Sequence, residues 1–97
     1  MAFVKQLPIL VAGGGIAGVA AALAAAVSGR EALVFERAAA FEEVGAGLQI
    51  GPNAVKALQR IGAWSEVAAI STAPPAIILR DAMSGRTVRR VQLAGAF

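Results

Sequence analysis

From Leu7 to Gly29 no charged residue interrupts the chain, and the apolar and polar positions after it fall into short, distinct rhythms. The run itself splits at Gly13-Gly14-Gly15. Residues 7 to 12, LPILVA, are continuously apolar, as in a short strand buried on both faces of a parallel sheet. Beyond the glycines, the Ala-rich stretch from about Ile16 to Ser28 predicts a helix. EALVFE, residues 31 to 36, is a second short strand that ends on a carboxylate. Arg37 to Glu43 reads as a loop or short helical turn, Gly45 to Gly47 as a bend, and LQI after it as a brief extended piece. Gly51-Pro52-Asn53 starts a further helix, because proline near the first turn has no N–H to leave unpaired. That helix carries Val55, Leu58 and Ile61 on one face, Lys56, Gln59 and Arg60 elsewhere, and Gly62 as its stop. STAPP, residues 71 to 75, is a connector; AIILRDAM and RTVRRVQL then predict a β-hairpin turning at Ser84-Gly85.

The uncharged run admits three readings. A membrane span is supported by its length, by Lys5 and Arg30 at its ends and by Gly14-x-x-x-Gly18. A secretory leader is supported by Lys5 and by small residues at Ala24 and Ala26. Against both, three consecutive glycines would weaken a helix at its centre by about 1 kcal/mol each relative to alanine. A strand, a glycine turn and a helix account for the same residues without that cost. Gly13, Gly15 and Gly18 then stand in G-x-G-x-x-G spacing, the arrangement that receives a dinucleotide.

Each glycine has a task in that reading. Gly13 permits the tight turn out of the strand, Gly15 lets the backbone approach a pyrophosphate, and Gly18 lets the helix lie close to the sheet. The phosphates would sit at the helix start, where the N–H groups of Gly15, Ile16 and Ala17 lack partners and the helix dipole favours negative charge. Glu36 follows at about the 20-residue spacing where a βαβ unit places the acid for a ribose hydroxyl. The expected fold class is α/β: a Rossmann-like βαβ dinucleotide-binding unit, then a helix and a β-hairpin.

Composition narrows the function classes. With 97 residues the chain is one domain at most, and with 58% hydrophobic residues it needs lipid or further protein to cover its apolar faces. The absence of Cys and His removes thiol chemistry, most zinc sites and any Ser-His triad, and fits a cytoplasmic protein. A net charge of +3 includes Arg80, Arg86, Arg89 and Arg90, but no aromatic residues interleave with them, so they read as a solvated hairpin face rather than a nucleic-acid contact. Glu42, Glu43 and Asp81 show no pairing for acid–base work, and no catalytic residue is assigned.

The stretch VAGGGIAGVAAALAAAVSGREALVFER, followed by EEVGAGLQIGPNAVKALQRIGAW, resembles the class A flavoprotein monooxygenases of the salicylate hydroxylase and 3-hydroxybenzoate 6-hydroxylase kind. The second stretch is the more specific of the two, and it implies FAD as the dinucleotide. The resemblance implies that Gly13, Gly15, Ile16, Ala17 and Gly18 hold the pyrophosphate and Glu36 the adenosine ribose. It places Arg37 beside the adenine and brings Gln49 toward the flavin. It further implies NAD(P)H as reductant and a small aromatic substrate, into which one oxygen atom is inserted. The family's later flavin-contacting motifs are not found before Phe97, so residues 1–97 are expected to be the N-terminal portion of an FAD-binding domain, an incomplete fragment. Such a fragment is expected to lack hydroxylase activity, to retain little FAD and to self-associate through its uncovered faces. A non-catalytic nucleotide-binding fragment and a small membrane-anchored protein are the alternatives.

Overall fold

The computed structural model describes residues 6–42, 45 and 47–93. Along the chain lie β1 (Ile9–Ala12), α1 (Ile16–Val27), β2 (Ala32–Phe35), α2 (Pro52–Arg60), α3 (Trp64–Ala69), β3 (Ala76–Arg80) and β4 (Thr87–Gln92). The fold is mixed α/β, and the chain divides into two units, Met1–Ser65 and Glu66–Phe97.

In the first unit β1 and β2 pair in parallel, Ile9 beside Ala32 through to Ala12 beside Phe35. Parallel neighbours need a crossover, and α1 supplies it, lying against both strands. The helix ends where Gly29 adopts a left-handed φ of +80°. Its N–H donates to the Ala26 carbonyl at 3.0 Å and the Arg30 N–H to the Ala25 carbonyl at 2.8 Å, a Schellman closure that turns the chain straight into β2. The Arg30 guanidinium then donates to the Leu7 carbonyl at 3.2 Å, tying the entrances of the two strands together. The uncharged run is therefore a strand, a turn and a helix. Among the described residues no helix is long and apolar enough to cross a membrane.

The first strand is shorter than the expected residues 7 to 12, since Leu7 and Pro8 precede the pairing and Pro8 has no N–H to contribute. Nor are the strands buried on both faces. Leu10 is 67% exposed and Leu33 43%, and Ala25 is the one buried apolar residue among those described. A helix of mostly alanine covers little strand surface.

The second predicted helix is α2, with Gly51 as its N-cap and Pro52 in its first turn. Val55, Leu58 and Ile61 are half-buried while Lys56, Gln59 and Arg60 are exposed, as the periodicity required. Its end closes through Gly62 N–H to the Gln59 carbonyl (3.1 Å) and Ala63 N–H to the Leu58 carbonyl (2.9 Å). LQI before it belongs to no helix or strand. The following α3 has only six residues, too few for a periodic pattern to announce it.

In the second unit β3 and β4 pair antiparallel, Ala76 opposite Gln92 and Leu79 opposite Arg89, with a register shift between Leu79 and Arg80. The turn is wider than the predicted Ser84-Gly85 pair. Asp81 N–H donates to the Arg86 carbonyl at 2.8 Å, so Asp81 to Arg86 all belong to it. The reason is the Asp81 carboxylate: one oxygen accepts from Met83 N–H (3.1 Å), Ser84 N–H (2.7 Å) and the Ser84 hydroxyl (2.8 Å). An aspartate that gathers three local donors stabilises a broader loop than a two-residue turn.

Candidate functional site

The glycine turn begins where β1 stops. Gly13 takes φ +110°, a region L side chains rarely adopt, while its N–H still donates to the Phe35 carbonyl at 2.7 Å. The turn thus leaves the sheet without giving up the last bond of the ladder. Gly18 lies one helical turn on, and a Cβ there would run into the Gly13 carbonyl oxygen and come within 3.3 Å of Val11 Cγ1. Only a bare Cα lets α1 approach so closely. Gly15, the N-cap of α1, is the opposite case: a Cβ there would meet nothing within 4 Å. Its exposed surface faces space, not protein.

The first backbone bond of α1 runs from Val19 N–H to the Gly15 carbonyl at 3.0 Å. The N–H groups of Ile16 and Ala17 in the preceding turn therefore lack intrahelical acceptors. No side chain caps this end and no acidic residue occupies its first turn, so the positive end of the helix dipole faces outward.

Glu36, just past β2, closes the site from the other side. One carboxylate oxygen accepts from Gly14 N–H at 3.0 Å and the other from Ala38 N–H at 2.8 Å. These bonds hold its pKa below the ordinary carboxylate value, Ala38 contributing most, then Gly14, against a smaller opposing effect of desolvation. The group is ionised at neutral pH, and each oxygen keeps a lone pair for a further donor. An open pocket of about 450 Å³ lies here, lined by Gly14, Gly15, Glu36 and residues 38 to 42. An N–H array, a side-chain-free surface and a fixed carboxylate suit an anion joined to a hydroxylated group.

Gly13, Gly15, Ile16, Ala17, Gly18 and Glu36 are thus brought together. Arg37 and Gln49 are exposed, and neither lines the pocket. In the bend between Gly45 and Gly47, and in the stretch before it, Glu43, Val44 and Ala46 lie outside the described residues. Sequence reasoning passed over Gly14, Ala38 and Phe41. Gly14 is buried, and a Cβ there would press at 3.1 Å on both Glu36 Cβ and Phe41 Cε1. The triple glycine was its signal, but G-x-G-x-x-G spacing treats the middle position as free.

Among known proteins, the chain is 41% identical over 92 residues to a 3-hydroxybenzoate 6-hydroxylase of Polaromonas naphthalenivorans (strain CJ2), covering 95% of this chain and 23% of that protein. It is 34% identical over 93 residues to a 3-hydroxybenzoate 6-hydroxylase of Klebsiella oxytoca, covering 96% of this chain and 23% of the relative. It is also 38% identical over 76 residues to the FAD-dependent monooxygenase OpS4 of Beauveria bassiana (strain ARSEF 2860), covering 78% of this chain and 18% of the relative. No protein-family model matches it. The chain spans about a quarter of the length of the curated relatives it matches. By sequence, the chain is similar to 3-hydroxybenzoate 6-hydroxylases and to an FAD-dependent monooxygenase over a stretch that corresponds to part of their length.

Proposed function

We propose that this chain is the Rossmann-like dinucleotide-binding portion of an FAD-dependent monooxygenase that hydroxylates a small aromatic compound with NAD(P)H as reductant. The observation that carries the reading is the bond from Gly14 N–H to Glu36 (3.0 Å), which sets an ionised carboxylate beside the bare Gly15 and the open start of α1. The relatives' printed names, hydroxylases of 3-hydroxybenzoate and an FAD-dependent monooxygenase, support the cofactor and the substrate class.

The residues present suit such a group. Gly15 offers the pyrophosphate a surface on which any side chain would intrude, and the N–H groups of Gly15, Ile16 and Ala17 would donate to its oxygens. Gly13 and Gly18 set the turn and the close helix that aim those donors. Glu36 would accept from a ribose hydroxyl with the lone pairs that Gly14 and Ala38 leave free. Arg37 would flank the adenine, and Gln49 would approach the flavin from the segment before α2. Bound flavin would supply the redox and oxygen chemistry, which a chain with no assigned nucleophile or general base leaves to its cofactor. The apolar faces of β1 and β2, exposed at Leu10 and Leu33, would be covered by further protein or by self-association.

Titration of the purified chain with FAD and with ADP tests this. Weak, reversible binding of both through their shared ADP portion is expected, too weak for FAD to be retained through purification, with Glu36→Gln weakening each about tenfold or more through loss of charge-assisted hydrogen bonds. Equal affinity in wild type and variant would remove Glu36 from the site, and absence of binding by either nucleotide would end the reading.

A further inference from the structure

Phe41 is 77% exposed, yet one edge of its ring lies beside the glycine turn. Its Cε1 edge and the Glu36 Cβ each lie 3.1 Å from where a Cβ on Gly14 would stand. The missing side chain of Gly14 is thus the space that the Phe41 edge and the Glu36 stem share. One edge of the ring lies against the glycine turn, while most of its surface stays open to solvent. Among the described residues it is the one aromatic ring lining the pocket, and its neighbours there, Ala38, Ala39 and Ala40, are too small to crowd it.

We propose that Phe41 is the base-stacking residue of this pocket, the exposed ring taking the flat face of the purine of a bound nucleotide. The inference rests on the nucleotide-binding reading and extends it at the base, which Arg37 would flank at its side but for which neither the glycines nor Glu36 supplies a stacking face. Phosphates are met by the start of α1 and a ribose hydroxyl by Glu36, both polar partners. The base needs an apolar face, and an exposed aromatic ring with one edge beside the glycine turn provides it. Gly14 takes part through its lack of a Cβ, since any side chain there would push the ring and the Glu36 stem away.

The test separates base from phosphate. The purified chain is titrated with ADP and, in parallel, with inorganic pyrophosphate, while the Phe41 ring protons are followed by NMR. The ring protons are expected to shift upfield with ADP and to stay in place with pyrophosphate. Phe41→Ala should weaken ADP about fivefold or more and leave pyrophosphate affinity unchanged. Phe41→Leu keeps an apolar contact on Gly14 and guards against simple misfolding; it too should lose ADP affinity while its amide spectrum stays that of the wild type. Undiminished ADP binding by Phe41→Ala, ring signals unmoved at ADP saturation, or an equal loss for ADP and pyrophosphate would each overturn the stacking role. Failure of the wild-type chain to bind ADP at all would instead strike the nucleotide reading from which this one is built.

Discussion

Glu36 and Asp81 occupy equivalent places, each just past the end of a strand, and each is held more acidic than usual by backbone N–H groups that donate to it. Asp81 takes its donors from Met83 and Ser84, so its turn closes upon itself. Glu36 takes one donor from Ala38 beside it and one from Gly14, 22 residues away in sequence. The first arrangement finishes a hairpin and leaves nothing over. The second fastens two segments together and leaves a pocket between them. The same chemical device yields a turn when its partners are local and a candidate site when they are distant.

The largest effect is expected from removing the frame on which the distant knot depends. Gly18→Val would drive side-chain atoms into the Gly13 carbonyl and against Val11, where nothing flexible can give way. Overpacking of this kind costs about 1–3 kcal/mol, and backbone contact puts Gly18→Val at the upper end. Thermal melts should show that loss, while NMR signals of Asp81 to Arg86 stay in place. A stable Gly18→Val chain would mean that α1 does not sit as close to β1 as described.

Gly15→Val is the companion test, with the same side chain three residues earlier. Its Cβ meets nothing within 4 Å and the residue's φ of −75° is an ordinary one, so stability should change by less than about 1 kcal/mol. Nucleotide binding should nevertheless be abolished, because the new side chain fills the space a pyrophosphate would enter. A variant that folds and still binds ADP would break the phosphate cradle while sparing the fold. Glu36→Gln and Asp81→Asn form the next pair. The first should weaken ADP about tenfold, the second should leave ADP affinity alone and speed amide exchange at Ser84 and Gly85. Equal effects on ADP binding would erase the distinction between the two carboxylates.

Much of this was legible before any coordinates. An apolar run broken by glycines, then a strand ending in Glu36, dictated β1, α1 and β2, because the two periodicities differ and three glycines do not sit in mid-helix. The helix at Pro52 followed from its face pattern and its proline. What sequence could not carry was side-chain direction across space. Nothing in the spacing says that Glu36 bonds Gly14 rather than solvent, or that Phe41 turns its edge to the same glycine. The width of the hairpin loop escaped for a related reason. Ser84-Gly85 is a good turn pair, but Asp81, three residues before Ser84, offered its donors a better acceptor.

The smallest effect expected is the dependence on acid, and it compares the two carboxylates directly. Both pKa values are lowered in the folded chain, Glu36 chiefly by Ala38 N–H and Asp81 chiefly by Ser84 N–H. A lowered value means that folding favours the ionised form. The stability each group contributes is therefore whole above its unfolded pKa, about 4, and drains away as pH falls through the lower, folded value. Both groups are open to water, so screening keeps the contribution modest. Amide shifts of Gly14 and Ser84, followed from pH 6 toward pH 2, should give midpoints below the ordinary carboxylate range for both. Saturating ADP should separate them. A ligand that donates to ionised Glu36 binds that form more tightly, so by linkage the Gly14 midpoint must fall further while the Ser84 midpoint stays fixed. Equal behaviour of the two amides with ADP bound would show that Glu36, like Asp81, only closes a turn.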